Sequence, residues 1–130
     1  MGSEYETQAE NFLKETKTTF KAKFLKNDFY FPDDKEARDI YKITLKKEGK
    51  SYSFKFGQSI AEKGEIPTAY TVLSGLTKYE PDTFENFCSD FGYDTDSRKA
   101  EKTYKAVLKE WENINRLYTP GQIEKMQEIQ

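Results

Sequence analysis

At 130 residues and a net charge of −2, the chain has room for one hydrophobic core and is expected to form a single α+β domain over 1–130. Mean hydropathy is −0.94 and 34% of residues are charged, but ten Phe, nine Tyr and one Trp exclude a disordered composition. No apolar run approaches the roughly 20 residues that span a bilayer, and with Glu4, Glu6 and Glu10 at the start no signal peptide is expected.

Met1-Gly2-Ser3 reads partly as a cloning remnant, and residues 1–5 are expected to be flexible. Thr7–Lys14 has Ala9, Phe12 and Leu13 on one side of a short helix, with Tyr5 extending the stripe. From Thr16 to Leu25 the period changes: Phe20, Ala22 and Phe24 alternate with Lys21 and Lys23, as in a half-buried strand. Asn27–Glu36 is a connection in which Pro32 and Asp33-Asp34 suit a turn, and Phe29 and Phe31 are placed to tack it to the body.

Ile40–Lys47 and Ser51–Phe56 flank Gly49-Lys50, a Gly-first pair suited to a type II′ hairpin. That turn sets Leu45 opposite Phe54 and Ile43 opposite Phe56, with Thr44 facing Lys55 and Lys46 facing Ser53 on the other side. Ser59–Glu65 is a loop bending at Gly64. Pro67 suits the first position of a helix carrying Ala69, Val72, Leu73 and Leu76. Asp82 and Glu85 have capping-box spacing ahead of Phe84, Phe87, Cys88 and Phe91, and Gly92 suits the C-terminal cap.

The strongest helix signal is Asp94–Tyr118. Ala100, Tyr104, Val107, Leu108, Trp111, Ile114, Leu117 and Tyr118 recur at steps of three and four, with Asp96 or Ser97 to cap the start and Pro120-Gly121 as the stop. Gln122–Ile129 forms a last short helix. The expected order is α-β-β-β-α-α-α-α: a three-stranded antiparallel sheet with one face covered by helices, Phe20, Phe24, Ile43, Leu45, Phe54 and Phe56 meeting the long helix.

Several chemistries are excluded or disfavoured. The absence of histidine removes the commonest general base and most zinc and iron sites. Cys88, the sole cysteine, lies on an apolar helix face, reads as a core thiol and fits a reducing cytoplasm. A calcium loop starting at Asp94 fails, because Lys99 stands where glycine belongs and Lys105 where the closing glutamate belongs. Asp94 and Asp96 then serve the helix start, and Asp33, Asp34 and Glu36 a solvated turn. No catalytic residue, metal or cofactor is assigned.

Charge is uneven: residues 17–55 carry +5 while those before and after are net acidic. With Phe20, Ala22, Phe24, Leu45 and Phe54 inward, Lys21, Lys23, Lys42, Lys46 and Lys55 share the outer sheet face with Thr44 and Ser53. Such a face can hold an acidic protein surface or a phosphate backbone; lysines there also serve simply as solvated groups that protect a sheet edge.

SYSFKFGQSI (51–60) and IPTAYTVLSGLTKYEPDTFENFCSDFGYDTDSRKAEKTYKAV (66–107) resemble a family of small proteins encoded by phages and other mobile elements of gut bacteria, most specifically in FGQS and FCSDFGYDTDSRKAEKTY. The likeness runs from about Phe20 to Ile129. It implies a genomic setting, that of accessory proteins, and carries over no site residue. The order of helix, three strands and helix also resembles double-stranded RNA-binding domains, but about forty residues with two extra helices intervene before the basic helix. The expectation is a cytoplasmic, non-enzymatic accessory protein that binds a host or phage protein through the five lysines; the alternative is a nucleic-acid binder on the same face.

Overall fold

A computed structural model describes residues 4–129. Among them the chain runs α1 (Glu4–Glu15), β1 (Thr18–Asp28), β2 (Arg38–Lys47), β3 (Lys50–Gly57), α2 (Ala69–Leu76), α3 (Phe84–Phe91), α4 (Arg98–Leu117) and α5 (Pro120–Gln127), with a turn of 3-10 helix at Ile60–Glu62. The order and the antiparallel β1-β2-β3 sheet are those the sequence predicts. Of the N-terminal residues expected to be flexible, 1–3 lie outside the described residues. Glu4 and Tyr5 begin α1, and the Tyr5 ring stacks on Tyr70 at 5.5 Å.

The hairpin turns one residue earlier than expected. Glu48 and Gly49 both take positive φ, 51° and 80°, so the turn is type I′ and not the Gly49-Lys50 type II′ turn. Lys47 pairs with Lys50, Leu45 with Tyr52, Ile43 with Phe54 and Tyr41 with Phe56, two residues from the predicted register. The cause is Glu48, which occupies a left-handed conformation that residues other than glycine rarely adopt. A shift of two leaves every side chain on its expected face, whereas a shift of one would reverse them all.

On the inner face Ile43 and Leu45 are fully buried, flanked by Phe20, Ala22, Tyr52, Phe54 and Phe56. Helices α1, α2, α4 and α5 close over it with Ala9, Phe12, Val72, Leu73, Trp111, Ile114, Leu117 and Met126. At roughly 25 cal/mol per Å² of apolar surface, this burial is the main stabilising contribution. Phe24 is an exception to the expected core: it stays 51% exposed beside Tyr41, because Leu25 is an extra residue in β1 that bends the strand there. Lys47 alternates inward with Leu45 and is buried. Its ammonium lies 5.7 Å from the Tyr118 ring centroid and 3.5 Å from the Glu48 carboxylate.

The long helix divides its work. Its C-terminal half packs on the sheet, while in its first half Ala100 is buried and Tyr104 meets α3, its ring tilted against those of Phe84 and Phe87. Trp111 donates its indole N–H to the Tyr79 carbonyl at 2.8 Å. Leu108, assigned to the stripe, is 41% exposed. The caps also differ from expectation. Thr68, not Pro67, starts α2, and Thr83 rather than Asp82 starts α3, each hydroxyl accepting a backbone N–H three residues on. Asp82 instead accepts from the Asn86 side chain. Ser97 caps α4, Gly92 ends α3 at φ 70°, and Pro120 opens α5 beside a Thr119–Gln122 capping box.

Candidate functional site

The outer face of the sheet is built by alternation. Side chains that point away from the helices fall into three rows across β1, β2 and β3: Thr19–Lys46–Ser51, Lys21–Thr44–Ser53 and Lys23–Lys42–Lys55. All five predicted lysines are exposed there, and none makes an ion pair among the described residues. No carboxylate and no aromatic ring occupies these positions. The Thr44 and Ser53 hydroxyls share a hydrogen bond of 3.0 Å.

The row of three lysines is the feature that the predicted register concealed. With strands about 4.8 Å apart, Lys23, Lys42 and Lys55 set three like charges side by side, an arrangement that works against the fold. An anion placed across the row would relieve that repulsion.

The face has a defined end. Ile40 lies one step beyond Lys42 on the same side, yet it is buried, and its partner Gly57 lies beneath the Tyr30 ring. A Cβ on Gly57 would stand 2.7 Å from Tyr30 Cγ, so glycine is what lets the ring lie flat there. Tyr30 donates its hydroxyl hydrogen to the Lys55 carbonyl at 3.0 Å. Asp34 holds the loop by accepting from the backbone N–H groups of Phe31 and Tyr30 and from Arg38, whose guanidinium lies over the Phe31 ring. These contacts, the Phe31 N–H foremost, keep its carboxyl below the usual aspartate range. Phe29 and Phe31, expected to tack the loop down, are largely exposed; Tyr30 does it.

The two edges of the sheet differ. Gln58 donates its N–H to the Asp39 carbonyl, which fixes the phase of the β2–β3 ladder. Main-chain groups of Ser51, Ser53 and Lys55 therefore point off the β3 edge. There Arg116 donates to the Ser51 carbonyl at 2.7 Å and Tyr30 takes that of Lys55. A groove of about 630 Å³ between this edge and α4 is lined by Tyr30, Tyr52, Lys109, Glu110 and Arg116. Burial raises the Glu110 carboxyl pKa and, with the Glu110 charge adding, takes the Tyr52 hydroxyl to about 12. Among the described residues no side chain bonds the main chain of the β1 edge in this way.

Elsewhere the polar groups serve architecture. Asp39 accepts from Gly64 N–H and Asn27 Nδ2 and so pins the loop after β3; those two contacts, Gly64 first, lower its pKa. Cys88 is buried, and burial first, then the nearby Glu85 and Asp94 charges, push its thiol up. Asp94 and Asp96 are exposed in the turn before α4. Among the described residues no cluster of three or more Asp, Glu or Cys suits a metal ion, and no helix is long and apolar enough to cross a membrane. Sequence reasoning missed Tyr30, Lys47 and Glu110. The Gly57 aligned against Tyr30 was visible only once the strands were paired. No family model, curated protein or solved structure matches the chain.

Proposed function

We propose that this is a small, non-enzymatic binding protein whose outer sheet face docks an acidic surface of a protein partner. The observation that carries the reading is the Lys23–Lys42–Lys55 row, exposed and without an ion pair among the described residues, with Lys21 and Lys46 in the two neighbouring rows. Like charges set opposite one another reduce stability, and an acidic partner converts that local penalty into binding free energy. In the genomic setting implied by the sequence resemblance, the protein acts as an accessory of a phage or mobile element in the cytoplasm of a bacterial host, on a host or phage protein.

A nucleic-acid reading has one observation in its favour: the Thr19, Ser51 and Ser53 hydroxyls beside the lysines suit phosphate oxygens. Against it stand a face without aromatic rings for base stacking and an overall charge of −2. Pull-down from host lysate with and without nuclease separates the two. A partner retained after nuclease and lost with Lys42→Glu plus Lys55→Glu supports the protein reading. Capture that vanishes with nuclease, with affinity falling steeply as salt is added, replaces it with the nucleic-acid one. Capture unchanged by the double substitution refutes both.

A further inference from the structure

The β1 edge of the sheet differs from the β3 edge in the main-chain groups it leaves without partners among the described residues. The ladder phase set by Gln58 and Asp39 directs the main-chain groups of Tyr41, Ile43 and Leu45 toward β3, so those of Lys42, Thr44 and Lys46 bond β1 at Lys23, Lys21 and Thr19. The N–H and C=O groups of Thr18, Phe20, Ala22 and Phe24 then point away from the sheet. Among the described residues no side chain or loop hydrogen-bonds to them, in contrast to the β3 edge, which Arg116 and Tyr30 occupy. Exposure agrees: every second residue of β1 up to Lys23 is exposed and the rest only half-buried, whereas β2 is largely buried. The open stretch spans about 20 Å at roughly 3.4 Å per residue.

Side chains along this edge define what fits. On the outer side stand Lys21 and Lys23, unpaired; on the inner side stand Phe20, Ala22 and the half-exposed Phe24. A second copy of the chain is a poor occupant. Antiparallel pairing centred on Ala22 sets Lys21 opposite Lys23 of the other copy, and centring on Lys21 sets that lysine opposite itself. A strand with acidic residues on one side and apolar residues on the other meets both requirements, and the lysines reject strands without the acids.

We propose that β1 accepts an extended segment of the acidic protein partner as a fourth strand, its carboxylates alternating toward Lys21 and Lys23 and its apolar side chains covering Phe20 and Phe24. This rests on the protein-binding reading above and specifies the form of the partner.

The test uses a capped peptide of alternating glutamate and valine, a scrambled peptide of the same composition, and a single-stranded oligothymidylate, each titrated against the full chain by fluorescence anisotropy. Ala22→Pro removes an outward N–H and places a ring on the edge while leaving the ladder intact, since proline is tolerated where the N–H faces out. The expected result is binding of the alternating peptide, weakened about tenfold or more by Ala22→Pro and lost with Lys21→Glu plus Lys23→Glu. Lys55→Glu, two strands in from the edge, weakens this peptide less than Lys21→Glu plus Lys23→Glu does. Amide exchange on the unmodified protein supplies a readout independent of the variants: peptide slows exchange at Phe20, Ala22 and Phe24, while Lys21 and Lys23 are already in the ladder. No added protection at those three amides overturns the edge proposal. If peptide affinity ignores Ala22→Pro but falls with Lys42→Glu plus Lys55→Glu, the edge proposal fails and face docking stands. Equal binding of the scrambled peptide also overturns the strand geometry. Binding of the oligothymidylate alone overturns both protein readings.

Discussion

Gly57→Ala is a stringent test of how the lysine face is terminated. The backbone at Gly57 does not take positive φ, so alanine meets no conformational barrier and would on entropy alone stabilise by about 0.4–1 kcal/mol. Its Cβ, however, would lie 2.7, 2.8 and 3.1 Å from Tyr30 Cγ, Cδ2 and Cβ, well inside the roughly 3.5–4.0 Å optimum for carbon contacts. Tyr30 must swing away. That forfeits its hydrogen bond to the Lys55 carbonyl, about 1 kcal/mol, and its edge-on contact with Phe31, about 0.5–1.5 kcal/mol. Set against the entropic gain, the net loss is about 1–2 kcal/mol. Urea unfolding followed by the single Trp111 reads it directly. In a Tyr30→Ala background the two ring contacts are gone and only the Cβ contact at 3.1 Å remains, so the same substitution becomes close to neutral. The double-mutant cycle should therefore return a coupling of about 1–2 kcal/mol. A Gly57→Ala loss that is the same with and without the Tyr30 ring would refute the account.

The hairpin offers the opposite sign: Glu48→Asn supplies the Asn-Gly pair that a type I′ turn favours and should stabilise by about 0.5–1 kcal/mol despite removing the partly exposed Lys47–Glu48 ion pair, read as a higher urea midpoint. Glu110→Gln should stabilise at neutral pH. Burial raises the folded pKa of Glu110 above 4.5, so its ionised form opposes folding above that window, and the opposition disappears at lower pH where both states hold the proton. Midpoints of the variant and wild type should differ near pH 7 and converge as pH falls below about 4.5; a gap that persists in acid would point to a packing cause. At Lys47, methionine keeps the stem packed and should remain within about 1 kcal/mol of wild type, whereas Lys47→Glu buries a carboxylate beside Glu48 and should lose about 3 kcal/mol, both measured by urea denaturation.

The faces of the sheet were legible in the sequence because side-chain direction depends only on parity. Lys42 and Lys46 point outward in the observed register as in the predicted one, so the five lysines gathered on one surface even though the turn was assigned one residue late. What parity does not carry is who stands beside whom: Lys42 meets Lys55 only when Glu48, an unlikely residue by preference, takes the left-handed position. Other differences share a cause. Lys47 and Leu108 each sit where periodicity puts them on an apolar face, but the neighbouring surface decides: Tyr118 receives the lysine cation, and Leu108 stays exposed. Tyr30 stood between two phenylalanines with nothing local to distinguish it. Its role follows from a glycine 27 residues later, a tertiary relation that local pattern does not encode.

The unequal edges of the sheet bear on stoichiometry. A sheet open on both sides can relay its template, each added strand presenting a fresh edge to the next, and growth is then limited only by supply. Here Arg116 and Tyr30 act on one side as a chain stopper does in polymer chemistry. Recruitment is confined to the other side. A bound segment that is itself continuous with a folded partner would seal that side as well, leaving a closed one-to-one complex instead of a fibre.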